Sequence, residues 1–179
     1  YGVISMNDHL QEIETLSKLI VQDPSSAVII KTQFRKNTPS IMFKENKIIE
    51  SAKTTGRFIE LFQGKHRNIV FPAEAAMAAD FVIAHSIGAT AALEAVLSGR
   101  RCILLDPYGM NGSNNEIFKQ ANILYDSMDS ALNAVSLFRE GMNEYKNLGD
   151  WSSIINLFDA FQDRQSSVRL REIIEEKIL

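Results

Sequence analysis

The sequence is short of the features that mark membrane, disulfide-rich and nucleic-acid-binding proteins. Its 179 residues contain one cysteine, Cys102, which cannot form an internal disulfide and fits a reducing cytoplasmic compartment. No apolar run approaches the roughly 20 residues that a membrane-spanning helix needs. The net charge of −3 provides no basic excess for sequence-independent contact with nucleic-acid phosphates. We therefore expect a cytoplasmic protein that does not bind nucleic acid.

Signatures of well-known nucleotide and metal sites are absent too. The sequence has no Gly-x-x-x-x-Gly-Lys phosphate loop, no Gly-x-Gly-x-x-Gly fingerprint, and no cysteines or histidines at metal-ligand spacing. These absences argue against P-loop enzymes and dinucleotide-dependent reductases. We expect no bound metal and no other cofactor.

Strand-like and helix-like segments alternate along the chain, and hydrophobic residues make up 45% of it. This pattern predicts an α/β fold: a Rossmann-like, doubly wound parallel sheet of about six strands, with helices on both faces and a helical carboxyl-terminal segment. The predicted strands are residues 3–6, 27–30, 68–71, 81–84, 102–105 and 123–125. Helices are predicted from a cap at Asp8, for most of 41–62, for 73–79, 89–97 and 127–140, and for most of 151–179.

The segment of residues 79–99 is the most informative part of the sequence. Residues 81–84 are all apolar, as in a parallel strand that is covered on both faces. A small polar turn follows, and then a helix that ends before Gly99. The free N–H groups and the positive end of this helix lie where a phosphate binds in such folds. The predicted diphosphate site comprises Ser86, Ile87, Gly88, Ala89 and Thr90, although an ordinary strand-to-helix turn has the same composition.

Further polar residues fall at predicted strand ends, where open parallel sheets bind ligands. His85 is a candidate contact to the phosphates or the sugar, or a structural histidine. Lys31 ends a predicted strand and is a candidate phosphate contact, or part of a solvated basic cluster. Glu94 is a candidate ribose ligand; the alternatives are an exposed helix position or a pairing with Arg100 or Arg101. The loop after residue 105 carries candidate sugar contacts because Asn and Ser side chains both donate and accept hydrogen bonds: Asn111, Ser113, Asn114, Asn115 and Glu116. The alternative is a plain connection, with Asn115 and Glu116 at the start of the next helix.

These residues resemble the donor-binding half of a GT-B glycosyltransferase of bacterial surface-polysaccharide biosynthesis. The resemblance covers roughly residues 26–179 and extends to the Asp-rich turn and Ser-x-Arg helix of residues 158–169. It depends on the patterns Asp80-x-Val82-Ile83, Leu93-Glu94-Ala95-x-x-x-Gly99 and Cys102-Ile103-Leu104-Leu105-Asp106. Two positions depart from the family pattern. Ser86 stands where many relatives have a glutamate that contacts the donor sugar, and Gly99-Arg100-Arg101 replaces the usual Gly-x-Pro.

The resemblance implies that residues 1–179 form a single donor-binding domain, a fragment without the amino-terminal acceptor domain. Such a domain binds a nucleotide-diphosphate sugar for transfer to a carbohydrate acceptor, which the missing domain would hold. The catalytic base would then lie outside this chain, the isolated domain would be inactive, and peripheral membrane association of the full-length protein stays open. Two alternatives remain, a UDP-sugar epimerase-like enzyme and a non-catalytic, degenerate nucleotide-binding module.

Overall fold

The computed structural model describes residues 5–35, 46–63, 70–87, 89–109 and 115–178. The chain is a mixed α/β protein in which all the described strand pairs are parallel. The strands are β1 (Val28–Arg35), β2 (Phe58–Gln63), β3 (Phe81–His85), β4 (Arg101–Leu105) and β5 (Leu124–Tyr125). The helices are α1 (Met6–Gln22), α2 (Lys47–Thr54), α3 (Pro72–Met77), α4 (Thr90–Leu97), α5 (Asn115–Gln120), α6 (Met128–Arg139) and α7 (Ser166–Ile178).

The strands form two sheets rather than one. β1 pairs with β2, and β4 lies between β3 and β5 in a separate three-stranded sheet. The predicted α/β class with parallel strands is therefore confirmed, but the described residues contain five strands in two sheets instead of about six in one. No hydrogen-bonded ladder joins β1 to β3 among them, so the two sheets are separate units of pairing.

The central strand β4 is covered on both faces, because alternate side chains of a strand point to opposite sides of the sheet. Cys102 and Leu104 pack in one core cluster with residues of α4 and α5 and with Trp151. Ile103 and Leu105 pack in another with residues of α6 and with Leu148. This arrangement explains the unbroken apolar run of β4 and leaves the carboxyl ends of β3 and β4 as the place where polar residues emerge.

The first helix packs beside the smaller sheet. Ile13 and Ile20 of α1 share a core cluster with Ile49 of α2 and Phe58 of β2. The amino terminus of α1 is capped by Ser5, whose hydroxyl accepts from the Asp8 N–H group, while the Asp8 carboxylate accepts from the Ser5 N–H group. Asp8 is therefore the N3 residue of the helix, three positions after the N-cap, and not the N-cap that the sequence predicts.

Three further predictions of secondary structure need correction. The predicted strand of residues 3–6 is contradicted at its end, because Met6 opens α1; residues 3 and 4 lie outside the described part of the chain. The predicted strand of residues 68–71 is not formed by the two of its residues that the structure describes, since Phe71 precedes α3 as its N-cap. The prediction that residues 41–62 are mostly helical is confirmed for Lys47–Thr54 and wrong from Phe58, where the strand β2 begins; residues 41–45 lie outside the described part of the chain.

The carboxyl-terminal part agrees better with the sequence. The predicted helix of residues 127–140 is α6, with Ser127 as its N-cap and Glu140 as its C-cap. The region after Trp151 contains a short 3-10 helix, Ile155–Leu157, and then α7, with an irregular stretch between them. None of the helices in the described ranges combines the length and the apolar character needed to cross a membrane.

Candidate functional site

The carboxyl end of β3 brings two buried polar groups to the edge of the sheet. Ser86 is only 5% exposed, and its hydroxyl has no hydrogen-bond partner among the described residues. The Nδ1 atom of the neighbouring His85 is also buried and also has no hydrogen-bond partner among the described residues. Buried polar atoms in proteins nearly always have partners, so these two adjacent atoms are candidates to contact a bound group.

One part of the predicted diphosphate site is corrected by the backbone geometry. The Ser86 N–H group donates to the Leu105 carbonyl oxygen at 2.8 Å and continues the ladder between β3 and β4. The sequence predicted that this N–H group holds a phosphate. It is instead committed to the sheet. The Ser86 hydroxyl keeps its capacity to contact a ligand.

The start of α4 supplies the donors that the prediction requires. Ala89 is the N-cap residue and makes no side-chain cap hydrogen bond, since its methyl group has no acceptor. The first amides of a helix have no partner within the helix, so those at the start of α4 need an acceptor from elsewhere. Thr90 opens the helix and is exposed, as is Ile87 in the turn. Gly88 lies outside the described residues.

A carboxylate that the sequence did not identify reaches this edge from α1. The Glu12 Oε2 atom lies 3.1 Å from His85 Nε2 and 3.7 Å from His9 Nδ1. Burial by itself raises the pKa of Glu12, but the hydrogen bond with His85 and the nearby His9 imidazole outweigh this and hold the pKa below its ordinary value. Glu12 is therefore ionised at neutral pH. Its separation of 73 positions from His85 leaves no local sequence signal of the contact.

Glu94 lies on α4 and is half-buried. Its Oε2 atom accepts a long hydrogen bond, 3.4 Å, from the Ala73 N–H group in the first turn of α3. A carboxylate can accept several hydrogen bonds, so this contact leaves capacity for hydroxyl groups of a ligand. The alternative, a pairing of Glu94 with Arg100 or Arg101, does not match the contacts of those two side chains. The Arg100 guanidinium donates to the Met77 carbonyl oxygen, and the Arg101 guanidinium donates to the Leu148 carbonyl oxygen.

Of the remaining predicted site residues, the structure describes Lys31, Asn115 and Glu116, and Lys31 does not lie at β3. Lys31 lies within β1, four residues before its end at Arg35, so the prediction that it stands at a strand's carboxyl end is wrong. Its strand also belongs to the other sheet, where its Cα is in register with that of Leu61. The predicted sugar contacts Asn111, Ser113 and Asn114 lie outside the described residues, whereas Asn115 and Glu116 begin α5, as the alternative of a plain connection predicts.

A cavity of about 430 Å³ lies at the carboxyl ends of β4 and β5. Its lining includes Asp106, which is buried, together with Gly109, Lys119 and Tyr125. Gly109 is the last described residue before the predicted sugar contacts in the loop after β4. A wider groove of about 670 Å³ runs along α1 towards α6 and contains none of the predicted site residues.

The loop after β4 is tied to α1. The Tyr108 hydroxyl donates to the Asp8 carboxylate, which raises the pKa of Tyr108. The hydrogen bond with the Ser5 side chain and this contact together lower the pKa of Asp8. Through this contact the first turns of α1 lie over the same sheet edge as His85. Within the described ranges, no three acidic, histidine or cysteine side chains are arranged to hold a metal ion.

Comparisons with known proteins add no relative to this geometry. No family model, no curated protein and no solved structure matches the chain.

Proposed function

We propose that the chain is the Rossmann-like, donor-binding domain of a GT-B-type glycosyltransferase and binds a nucleotide-diphosphate sugar. The observation that carries the proposal is the turn from β3 to α4. There an eight-residue helix begins without a side-chain cap, beside the unpartnered Ser86 hydroxyl and His85 Nδ1 atom. An acceptor-rich anion satisfies all of these groups together, and a diphosphate is such an anion.

The chemistry assigned to this turn is stabilisation of a leaving group. In glycosyl transfer, an acceptor hydroxyl attacks the anomeric carbon and loses its proton to a base, which this proposal places outside the chain, while the bond from that carbon to the diphosphate oxygen breaks. The nucleoside diphosphate departs with the electron pair, so negative charge grows on its phosphates. Amide donors at the start of α4 that are already oriented stabilise this charge more than that of the intact donor. In this proposal Glu94 binds the ribose, and the 430 Å³ cavity beyond β4 gives room for a further part of the ligand.

Ala89→Asp tests the proposal because it separates stability from binding. A carboxylate at the N-cap interacts favourably with the helix dipole, so we expect the melting temperature to stay unchanged or rise. The same carboxylate occupies the first-turn amides and repels phosphate. We therefore expect binding of UDP, CDP or GDP, whichever the wild-type protein prefers by calorimetry, to be lost. Equal affinity in the variant and the wild type would refute the proposed phosphate site, and so would a wild type that binds none of these at millimolar concentration.

Glu94→Gln tests the ribose contact separately. Glutamine keeps an acceptor for the Ala73 N–H group but removes the charge that strengthens hydrogen bonds from ribose hydroxyls, so affinity for the preferred nucleotide should fall roughly tenfold. The matched control is Glu74→Gln on α3, whose carboxylate accepts from the Phe71 N–H group. If Glu94 binds the ribose, Glu94→Gln should bind the nucleotide more weakly than the wild type, and Glu74→Gln should bind it equally tightly.

A UDP-sugar epimerase-like enzyme is a second candidate, favoured by the position of Glu12. Proton transfer at a sugar carbon needs acid and base groups near the sugar, and the sequence around His85 contains no carboxylate before Glu94. The contact between Glu12 and His85 supplies one. Incubation with UDP-sugars and analysis by NMR separates the candidates, since an epimerase converts the sugar without an acceptor and keeps the diphosphate bond intact.

A non-catalytic, nucleotide-binding module is favoured by a different observation. Ser86 replaces the sugar-contacting glutamate of the resembling family, and Glu94 already bonds to the backbone of α3. A module of this kind would bind a nucleoside diphosphate as tightly as its sugar conjugate. A transferase domain should gain affinity from the sugar, so calorimetry with both ligands distinguishes them.

A further inference from the structure

Glu12 and His85 form a pair that joins α1 to the carboxyl end of β3. Their side chains are 14% and 27% exposed, and the Glu12 Oε2 and His85 Nε2 atoms are 3.1 Å apart. An ionised carboxylate has acceptors and no donor, so the proton in this hydrogen bond belongs to His85 Nε2. The contact therefore fixes both the orientation of the imidazole ring and the position of one of its protons.

The second ring nitrogen is then the group that remains for a ligand. His85 Nδ1 is buried and has no partner among the described residues, and the hydroxyl of the next residue, Ser86, shares both properties. Both groups directly precede the turn into α4, whose first amides have no side-chain acceptor. The unmatched groups of three kinds, imidazole, hydroxyl and amide, thus follow one another along a single stretch of chain.

We propose that Glu12 is a positioning residue for the diphosphate: it holds the His85 ring so that Nδ1 donates to a phosphate oxygen of a nucleoside diphosphate. This inference rests on the proposed function. An imidazole that donates from both nitrogens carries a positive charge. That charge lies between the carboxylate of Glu12 and the phosphate, and each of these neighbours stabilises it.

The sign of the effect distinguishes this role from simple proximity. Glu12 is negatively charged, and a carboxylate that is merely near a phosphate site repels the ligand. Its neutralisation would then tighten binding. If Glu12 acts through His85, its neutralisation removes the partner of the imidazolium and weakens binding instead.

The experiment is a double-mutant cycle measured by calorimetry with UDP, CDP and GDP. Glu12→Gln should weaken binding of the preferred nucleotide roughly tenfold, the size expected when a hydrogen bond to a charged group is lost. In the presence of His85→Ala, the further change Glu12→Gln should cause no additional weakening, because the residue through which it acts is gone. Melting curves of every variant check that each is folded.

Glu14→Gln is the matched control for this cycle. It makes the same chemical change two residues further along α1, where the Glu14 carboxylate accepts from the Asn46 side chain and not from a histidine. It should leave nucleotide affinity unchanged. Equal or tighter binding by Glu12→Gln than by the wild type would overturn the inference, and so would additive losses in the cycle.

Nitrogen-15 NMR of the His85 ring tests the pairing without any ligand. In the free wild-type protein the proton should be on Nε2, and in the nucleotide complex both nitrogens should carry protons. A free protein with its only ring proton on Nδ1 would overturn the pairing whatever the nucleotide result. A wild type that shows the Nε2 proton but binds no nucleotide would instead refute the proposed function, and with it the assignment of Nδ1 to a phosphate.

Discussion

Replacement of Gly149 by alanine should destabilise the three-stranded sheet through two separable effects. Gly149 has a φ of +66°, a left-handed conformation that alanine adopts only at a cost. It also lies against the sheet, with its carbonyl oxygen accepting from the Cys102 N–H group at 3.0 Å. A Cβ atom at this position would be 2.7 Å from the Phe81 Cζ atom and 3.0 Å from the Cys102 nitrogen.

Neither neighbour can move away easily. The Phe81 ring packs against Phe138, with 6.0 Å between ring centroids, and the Cys102 nitrogen is part of the β4 backbone. The left-handed conformation should cost about 1–2 kcal/mol, and the steric overlap should cost a further 1–3 kcal/mol or so. We therefore expect Gly149→Ala to lower the free energy of unfolding by about 2–5 kcal/mol.

Gly141→Ala is the control that isolates the overlap. Gly141 has a similar φ of +77°, but a Cβ atom there would meet nothing within 4 Å. This variant should lose only the conformational part, about 1–2 kcal/mol. Urea denaturation followed by circular dichroism gives both free energies of unfolding. Equal losses in the two variants would refute the reasoning, because the contacts of Gly149 would then contribute nothing.

Two further predictions concern ionisable groups. Burial raises the pKa of the Cys102 thiol to about 12. A thiol-specific reagent at pH 8 should therefore label the single cysteine only after denaturant is added. Rapid labelling of the native protein would contradict the position of Cys102 in the core. The lowered pKa of Glu12 means that its ionised form stabilises the fold above the ordinary glutamate value of 4.5, and this contribution is lost as the pH falls through the lower pKa of the folded state. The urea midpoint should therefore fall more steeply below pH 4.5 in the wild type than in Glu12→Gln, and parallel curves would show that the two histidines do not stabilise the carboxylate.

The part of the fold that the sequence predicts well is the part determined locally. β4 was predicted to within one residue, because a short apolar run between Gly99 and Asp106 has few other stable arrangements. α4 was predicted equally closely, since Ala-rich sequence favours a helix and Gly99, with a φ of +81°, ends it.

The errors concern pairing between distant segments. β2 begins Phe58-Ile59-Glu60-Leu61, whose composition also suits a helix, and only its alignment with Val28–Lys31 of β1 makes it a strand. The same pairing extends β1 to Arg35, opposite Gln63, and so places Lys31 inside a strand. A ladder between segments about 30 residues apart has no signature in either segment alone.

The candidate site also has one part that is determined locally and one part that depends on contacts between distant segments, and the second part affects its chemistry. The order strand, polar turn and helix is continuous in the sequence, so the likeness to a phosphate-binding turn could be recognised without a structure. The negative charge beside that turn could not be recognised from the sequence, because Glu12 reaches His85 only through the packing of α1. A bare helix terminus attracts any small anion, whereas a histidine already held by a carboxylate gains from a second negative partner only where that partner accepts from Nδ1. If the pairing holds, affinity at this edge should depend on where an anion places its oxygen atoms as well as on its charge, and inorganic sulfate should bind far more weakly than a nucleoside diphosphate.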